Sequence, residues 1–155
     1  MANVIFLDIE GVVFTGCYSG EADLNSVKNG SRFDPLAIYW LNRLVMETGA
    51  DVVITSTWRY IFNLSQLRQQ FSSAGFRGNV VGYIPIDIDV PRSRNIRRWM
   101  YTNEVDQFVI IDDVADDLAK VFPDRFIRTS YHRGLTFETY AQSKAILLDS
   151  TEIAV

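Results

Sequence analysis

The sequence predicts an α/β domain with a mostly parallel five-stranded sheet, and three observations support this. First, five short apolar runs are continuous rather than alternating, as in strands that are covered on both faces. Second, segments with a helical spacing of apolar residues separate these runs, which is typical of a parallel sheet with crossover helices. Third, 155 residues, 48% of them hydrophobic, suffice for one domain with its own core.

The five apolar runs define the expected strands. They are rich in Val, Ile and Phe, and they occupy residues 4–7, 52–55, 79–83, 108–111 and 126–128. Strands of this kind form a central layer that helices cover on both sides. The expected architecture is therefore a three-layer, Rossmann-like sandwich.

The helices between the strands carry start and stop signals. Asp34 followed by Pro35 is typical of a helix start, and Gly49 is typical of the end of that helix. The apolar spacing and further end signals predict other helices at about 63–74, at about 93–101, in a short segment after Asp113, and from Thr136 to about Leu148.

Residues 13–33 interrupt the alternation of strands and helices. This stretch is polar, contains glycines, and falls between the first strand and the first helix. We expect it to form a hairpin or flap over the carboxyl-terminal edge of the sheet, where such sheets bind their ligands. Residues 1–155 are thus expected to form a single domain, with residues 13–33 as a flap over its site.

Composition and charge narrow the function classes. A net charge of −4 argues against broad, non-specific binding to nucleic acid or to an anionic membrane, although it allows a small basic site. The apolar runs are too short to span a bilayer, and no signal peptide is recognisable. The single cysteine, Cys17, fits a reducing compartment, so we expect a cytoplasmic protein.

Acidic side chains follow two of the expected strands. Asp8 and Glu10 come after the first strand, and Asp112 and Asp113 come after the fourth. If these strands are neighbours, their carboxylates converge, and the repulsion between them calls for a compensating cation. Oxygen donors without a nearby His or Cys favour Mg²⁺. The alternative is that each acid caps the following helix, which suits Asp113 best.

Hydroxyl groups and cations stand at the same expected edge of the sheet. The second strand leads into Thr55 and Ser56, whose hydroxyl and N–H groups suit phosphate oxygens, or alternatively cap the next helix. Arg92 and Arg94 stand at the start of the third helix, where the helix dipole also attracts anions. Together these groups predict a phosphate site beside the carboxylates.

In this order, the four groups resemble the motifs of the haloacid dehalogenase (HAD) superfamily, whose members transfer phosphate through an aspartate nucleophile. The strand-end sequence Asp8-Ile9-Glu10-Gly11 resembles the first motif, and the acidic pair Asp112-Asp113 resembles the fourth. Stretches such as LNRLVMETGADVVITSTWR and GLTFETYA look most like small phosphatase-like domains that also occur in bacterial RNA-repair (Swiss army knife) proteins. This resemblance implies a HAD-like fold without a large cap domain.

The resemblance also implies roles for the remaining residues. The second motif would be Ser56, with Thr55 as the other choice, and the third would be Arg92 or Arg94; these residues would bind phosphate. Asp8 would be the nucleophile and Glu10 the general acid and base. Magnesium would be held by the carboxylates of Asp8 and Asp112 and the backbone carbonyl of Glu10, with Asp113 close by.

The implied activity is that of a Mg²⁺-dependent phosphatase acting through an aspartyl-phosphate. Its substrate would be a phosphomonoester. Within this class, a polynucleotide 3′-phosphate is the favoured hypothesis, because the active sites of superfamily members without a cap domain are open to large molecules. Arg59, Arg125, Arg128, His132 and Arg133 could contact such a polynucleotide, but each reads more simply as an ordinary surface residue.

Glu10 departs from the Asp that most phosphatases of the superfamily carry at this position. Its extra methylene moves the carboxyl group, and acid–base catalysis is sensitive to placement. A second hypothesis is therefore a catalytically weak or inactive domain that binds phosphate or nucleotide. A third hypothesis is a phospho-accepting receiver domain. In receiver domains the acidic pair ends the first strand and the phosphorylated Asp ends the third. In this sequence the acidic pair ends the fourth strand and no Asp ends the third, which disfavours this hypothesis.

Overall fold

The computed structural model describes residues 2–20 and 32–149, and within them a five-stranded sheet forms the centre of the molecule. Every strand pair in this sheet is parallel. The spatial order is β3-β2-β1-β4-β5. The strands are β1 (Ala2–Leu7), β2 (Asp51–Ile54), β3 (Val80–Tyr83), β4 (Val105–Asp112) and β5 (Phe126–Arg128).

The helices lie between the strands along the chain, as the sequence predicts. They are α1 (Pro35–Thr48), a 3₁₀ helix (Thr57–Tyr60), α2 (Leu64–Ser73), α3 (Arg92–Tyr101), α4 (Leu118–Val121) and α5 (Phe137–Leu147). The start signal of α1 acts as expected, because the Asp34 carboxylate accepts a hydrogen bond of 2.9 Å from the backbone N–H of Leu36. The predicted α/β, Rossmann-like fold is confirmed.

Two apolar clusters, one on each face of the sheet, make up the core. Because side chains alternate across a strand, Ile5 and Leu7 of β1 contribute to one cluster, while Val4 and Phe6 contribute to the other. The first cluster includes buried residues of α1, α2 and α5, and the second includes residues of α3 and α4. The central strands are therefore buried on both faces, which explains their continuous apolar sequences.

The order of the strands determines where a site can form. The chain runs outward from β1 through β2 to β3, and then crosses to β4 on the other side of β1. Ligands of such sheets bind outside the carboxyl ends of the strands where the order reverses. Here that place lies between the ends of β1 and β4, where Leu7 pairs with Ile111.

Only part of the expected flap falls within the described residues, since residues 21–31 lie outside them. Its beginning is tied to the loop after β5, because the N–H groups of Gly16 and Cys17 donate to the carbonyls of Tyr131 and His132 at 3.0 and 2.9 Å. That part of the flap therefore lies beside residues 131–132. In the described part of the chain, none of the helices has the length and apolar character needed to cross a membrane.

An ion cluster joins α1 to α5 on the surface. The Glu47 carboxylate accepts a hydrogen bond from the Tyr140 hydroxyl and pairs with Lys144 at 3.0 Å and with Arg43 at 2.9 Å. The Tyr140 hydrogen bond, followed by Lys144 and Arg43, lowers the pKa of Glu47 from 4.5 to about 2. The cluster therefore favours the ionised carboxylate in the folded protein.

We expect Glu47→Gln to reduce stability in a pH-dependent way. A carboxylate whose pKa is lowered by folding stabilises the protein above its ordinary pKa, and this contribution is lost as the pH falls toward the folded value. The difference in free energy of unfolding between wild type and variant should thus be largest above pH 4.5 and should vanish near pH 2. Urea unfolding across this range measures it; a difference that is independent of pH would show that packing, not charge, is lost.

Candidate active site

Three carboxylates converge at the predicted edge of the sheet. Asp8 directly follows β1, Asp112 ends β4, and one oxygen each of Asp8, Asp112 and Asp113 lie within 4.8 Å of one another. Asp8 and Asp112 are buried. The pKa of Asp8 is raised to about 9, mainly by burial and secondly by the charge of Asp112, although Arg92 opposes the shift. Burial likewise raises the pKa of Asp112 against the effect of Arg92.

This cluster fits a hard divalent cation. Two of its carboxylates are buried at a distance where like charges repel, and burial, followed by this repulsion, raises the pKa of Asp8. A cation held between them would favour their ionised forms. All three donors are carboxylate oxygens, the type that Mg²⁺ prefers. The capping alternative does not describe Asp113, since α4 begins at Leu118 and its cap position is Asp117.

Gly11 allows the turn that brings the two acidic segments together. Its φ is +79°, and a Cβ atom there would overlap the Asp113 carboxyl group. Any other residue would thus be strained and would displace Asp113. The Gly11 carbonyl accepts a hydrogen bond of 2.6 Å from the Thr129 hydroxyl, which fixes the turn to the end of β5.

Arg92 contacts this carboxylate cluster directly. Its guanidinium pairs with Asp112 at 2.5 Å and with Asp116 at 2.9 Å. Burial lowers the pKa of Arg92, but Asp112, Asp116 and Asp8 together raise it above the ordinary value, so the group stays charged. Asp116 has a φ of +44°, and no other described non-glycine residue has a positive φ. Arg94 is exposed and does not line the cleft.

The end of β2 places one hydroxyl in the cleft and one outside it. Ser56 lines the cleft, and its Oγ accepts a hydrogen bond of 3.1 Å from the backbone N–H of Trp58. Thr55 is fully buried, does not line the cleft, and its hydroxyl has no hydrogen-bond partner within the described chain. Of these two predicted phosphate-binding residues, the structure thus brings only Ser56 to the cleft.

Glu10 is tied to the segment that follows β2. Its side chain is exposed and lines the cleft, and its Oε1 accepts a hydrogen bond of 2.9 Å from the indole Nε1 of Trp58. Trp58 belongs to the 3₁₀ helix, an element that the sequence analysis did not predict. In the sequence, the one sign that Trp58 belongs to the site is that it follows Ser56 by two residues.

The interpretation of Arg59 as a surface residue is wrong. Its side chain is only 3% exposed, and its guanidinium donates to the backbone carbonyls of Thr55 and Ser56 at 2.5 and 2.9 Å, and to that of Pro85 at 3.3 Å. Burial lowers the pKa of Arg59. Arg59, which also lines the cleft, therefore holds the backbone that carries Ser56 in place.

The cleft above these residues has a volume of about 870 Å³ among the described residues. Acidic residues and Arg92 line it, and so do the exposed side chains of Tyr60, Ile88 and Tyr131. The lining of the cleft thus combines charged groups with exposed aromatic and apolar side chains. Sequence patterns gave no sign that Tyr60 and Tyr131, far apart in the chain, line one cleft.

Comparison with known proteins identifies a family to which the chain is similar. A family model described as the HAD domain in Swiss Army Knife RNA repair proteins matches residues 4–140, which include all of the site residues described above. Neither the curated proteins nor the solved structures include a match.

Proposed function

Because the chain belongs to the family of HAD domains in Swiss Army Knife RNA repair proteins, we propose that it is a Mg²⁺-dependent phosphatase acting through an aspartyl-phosphate. HAD domains are generally hydrolases of the phosphatase type. The observation that carries the proposal is the convergence of Asp8, Asp112 and Asp113 beside Arg92 and Ser56 in one cleft. In this proposal Asp8 supplies the nucleophile, the carboxylates hold the cation, and Ser56 and Arg92 bind the phosphate.

In the first step, a carboxylate oxygen of Asp8 attacks the phosphorus atom of the substrate. The bond from phosphorus to the leaving oxygen breaks, and its electron pair stays on that oxygen. Glu10 donates a proton to the leaving oxygen, so the product departs as an alcohol. Ser56 and Arg92 bind the non-bridging oxygens and stabilise their negative charge.

In the second step, the Glu10 carboxylate removes a proton from a water molecule, whose oxygen attacks the phosphorus of the aspartyl-phosphate. The bond between phosphorus and Asp8 breaks, and its electron pair returns to the Asp8 carboxylate. Inorganic phosphate leaves, and Glu10 holds the proton that it needs for the next cycle. Magnesium held by Asp8, Asp112 and the Glu10 backbone carbonyl, with Asp113 close by, would neutralise charge and align the phosphate.

The favoured substrate is a polynucleotide end with a 3′-phosphate. Two exposed tyrosines, Tyr60 and Tyr131, line the same cleft as Asp8, and aromatic rings of this kind stack on unpaired bases. The matched family belongs to RNA repair proteins, which supports the same class of substrate. With a net charge of −4, binding would depend on such local contacts rather than on a broad basic surface.

The test compares three substrates with Mg²⁺ present: an aryl phosphate, an oligonucleotide with a 3′-phosphate, and the same oligonucleotide with a 5′-phosphate. We expect phosphate release that stops when a chelator removes Mg²⁺, and a higher kcat/KM for the 3′-phosphate than for the other two. Equal, slow release from all three would support a phosphatase with another substrate. No release from any of them would contradict the proposal.

The second candidate is a domain that binds Mg²⁺ and phosphate but turns over weakly, and the presence of Glu10 instead of Asp favours it. Its signature would be stabilisation by Mg²⁺ without phosphate release, unchanged by Glu10→Asp. The phosphatase proposal predicts the opposite, namely that release accompanies stabilisation and responds to substitution of Glu10.

Magnesium should raise the melting temperature of the wild-type protein, and Asp112→Asn should remove this effect. A ligand that binds only the folded state stabilises it by about 2.7 kcal/mol at 100 times its Kd. Asp106→Asn is the matched control, since Asp106 is exposed at the opposite end of β4. Thermal unfolding with and without Mg²⁺ measures the shift; an equal shift in all three proteins would place the cation elsewhere.

A further inference from the structure

The general acid–base assigned to Glu10 has to be held in place, although its side chain is exposed. An exposed glutamate rotates about several bonds and samples many positions, which reduces its efficiency in proton transfer. Here Glu10 Oε1 accepts a hydrogen bond of 2.9 Å from the Trp58 indole. This bond ties the carboxylate, which follows β1, to the segment that follows the neighbouring strand β2, and so restricts its motion.

The donor is itself fixed by its surroundings. Trp58 is 6% exposed, and its ring centroid lies 5.7 Å from that of Phe14, 5.8 Å from that of Phe33 and 6.0 Å from that of Phe62. Rings packed at such distances have little freedom to turn. Phe14 also belongs to the turn that contains Glu10, and its carbonyl accepts from the N–H of Gly11 at 2.7 Å. The indole N–H therefore has a defined direction relative to Glu10.

The chemistry of the indole suits this role. An indole N–H is a donor only, so Trp58 cannot take up the proton that Glu10 transfers. Its hydrogen bond occupies Oε1 and leaves Oε2 available for the proton. The backbone N–H of the same residue donates to Ser56 Oγ, which leaves the Ser56 hydroxyl hydrogen free to donate to a phosphate oxygen. One residue thus orients two groups of the site.

The distance explains why a glutamate, rather than an aspartate, suits this site. A side chain shorter by one methylene would draw the carboxylate back by about 1 Å or more. The distance from the Trp58 Nε1 to the carboxylate oxygen, now 2.9 Å, would then exceed the hydrogen-bond limit of about 3.5 Å. Because Trp58 is held by three phenylalanine rings, it cannot follow. An aspartate at position 10 would therefore lose this anchor.

We propose that Trp58 is a positioning residue that holds Glu10 through its indole N–H and so makes glutamate an effective acid–base at this site. The inference rests on the proposed function, since it assigns a role within the same reaction. It predicts an effect that depends on the leaving group, because only a poor leaving group needs a proton as its bond to phosphorus breaks.

Trp58→Phe tests the role, because phenylalanine keeps the backbone N–H and much of the ring packing but lacks the indole N–H. We expect kcat/KM for an alkyl phosphate to fall by about 10-fold or more, and that for an activated aryl phosphate to change by less than about 3-fold. Trp40→Phe is the control, since it removes an indole from α1, outside the cleft; both substrates should be unaffected. Equal losses on both substrates in Trp58→Phe would mean a structural role only and would overturn the inference.

A double-mutant cycle tests whether Glu10 and Trp58 act together. Glu10→Asp should reduce kcat/KM for the alkyl phosphate, because the shorter side chain loses the indole. Combining it with Trp58→Phe should cost little more than the larger of the two single effects, as residues in one hydrogen bond are not additive. Losses that multiply fully would show that the two residues act independently and would contradict the inference.

The hydrogen bond can also be examined without substrate. In ¹⁵N-labelled protein, the indole N–H signal of Trp58 is the one that Trp58→Phe removes, and Glu10→Gln should shift this signal more than those of Trp40 and Trp99. An unmoved Trp58 signal would refute the contact. If the signal responds but wild type releases no phosphate from any substrate, the proposed function fails and the catalytic role of Trp58 fails with it, while the contact stands.

Discussion

Asp8→Asn should abolish phosphate release, with a loss of about 10⁴-fold or more in kcat. The amide has nearly the shape of the carboxylate, but it is too weak a nucleophile to attack phosphorus. The variant should nevertheless fold. Asp8 is buried beside Asp112, and burial raises its pKa to about 9, so in the absence of a cation Asp8 has to take up a proton on folding at neutral pH; a neutral amide removes this cost. Without Mg²⁺, we therefore expect the variant to unfold at the same temperature as wild type or at a higher one.

Two measurements separate this expectation from a general loss of structure. Acid quenching during turnover should trap a phosphorylated wild-type chain whose mass exceeds that of the free chain by one phosphoryl group, and peptide mapping should place the group on Asp8. The Asp8→Asn chain should show no such increase. A phosphorylated Asp8→Asn chain, or normal phosphate release by it, would mean that another residue is the nucleophile.

The strands and the residues at their ends could be predicted from the sequence because local patterns determine both. Continuous apolar runs indicated strands buried on both faces, and in a parallel sheet the ends of neighbouring strands share an edge. That logic predicts that Asp8 and Asp112 lie together if β1 and β4 are neighbours; the two strands do pair, and one oxygen of each carboxylate lies within 4.8 Å of the other. Asp112 proved to be the last residue of β4, because it still pairs with Arg128 of β5.

Contacts between distant segments could not be predicted in the same way. The sequence does not distinguish a buried arginine from an exposed one, and Arg59 is buried because three backbone carbonyls surround its guanidinium. Nor does it reveal that Trp58 reaches Glu10, since that contact depends on how the segments after β1 and β2 meet. The choice between Arg92 and Arg94 depends on the first residue of α3, and helix boundaries are uncertain by a few residues in any pattern-based analysis.

Arg92→Ala should reduce kcat/KM by about 10²-fold to 10³-fold, because it removes a preorganised positive charge from the phosphate site. Its effect on stability should depend on Mg²⁺. In the metal-free protein, Arg92 is the counter-charge of the buried Asp112, so the variant leaves that carboxylate unpaired and should unfold at a lower temperature. Since Mg²⁺ would supply a replacement positive charge, it should raise the melting temperature of Arg92→Ala by more than that of wild type.

Arg94→Ala is the matched control, because Arg94 lies on the same helix, has the same charge, is exposed, and does not line the cleft. We expect its kcat/KM to stay within about 2-fold of wild type, as is usual for exposed residues away from a site. Arg92→Lys should recover part of the loss, since lysine restores the charge but not the forked geometry that contacts Asp112 and Asp116 together. If Arg94→Ala instead reduced kcat/KM as much as Arg92→Ala, the activity would depend on the net charge at the start of α3 and not on the position of one guanidinium. The assignment of Arg92 as the phosphate ligand would then be wrong.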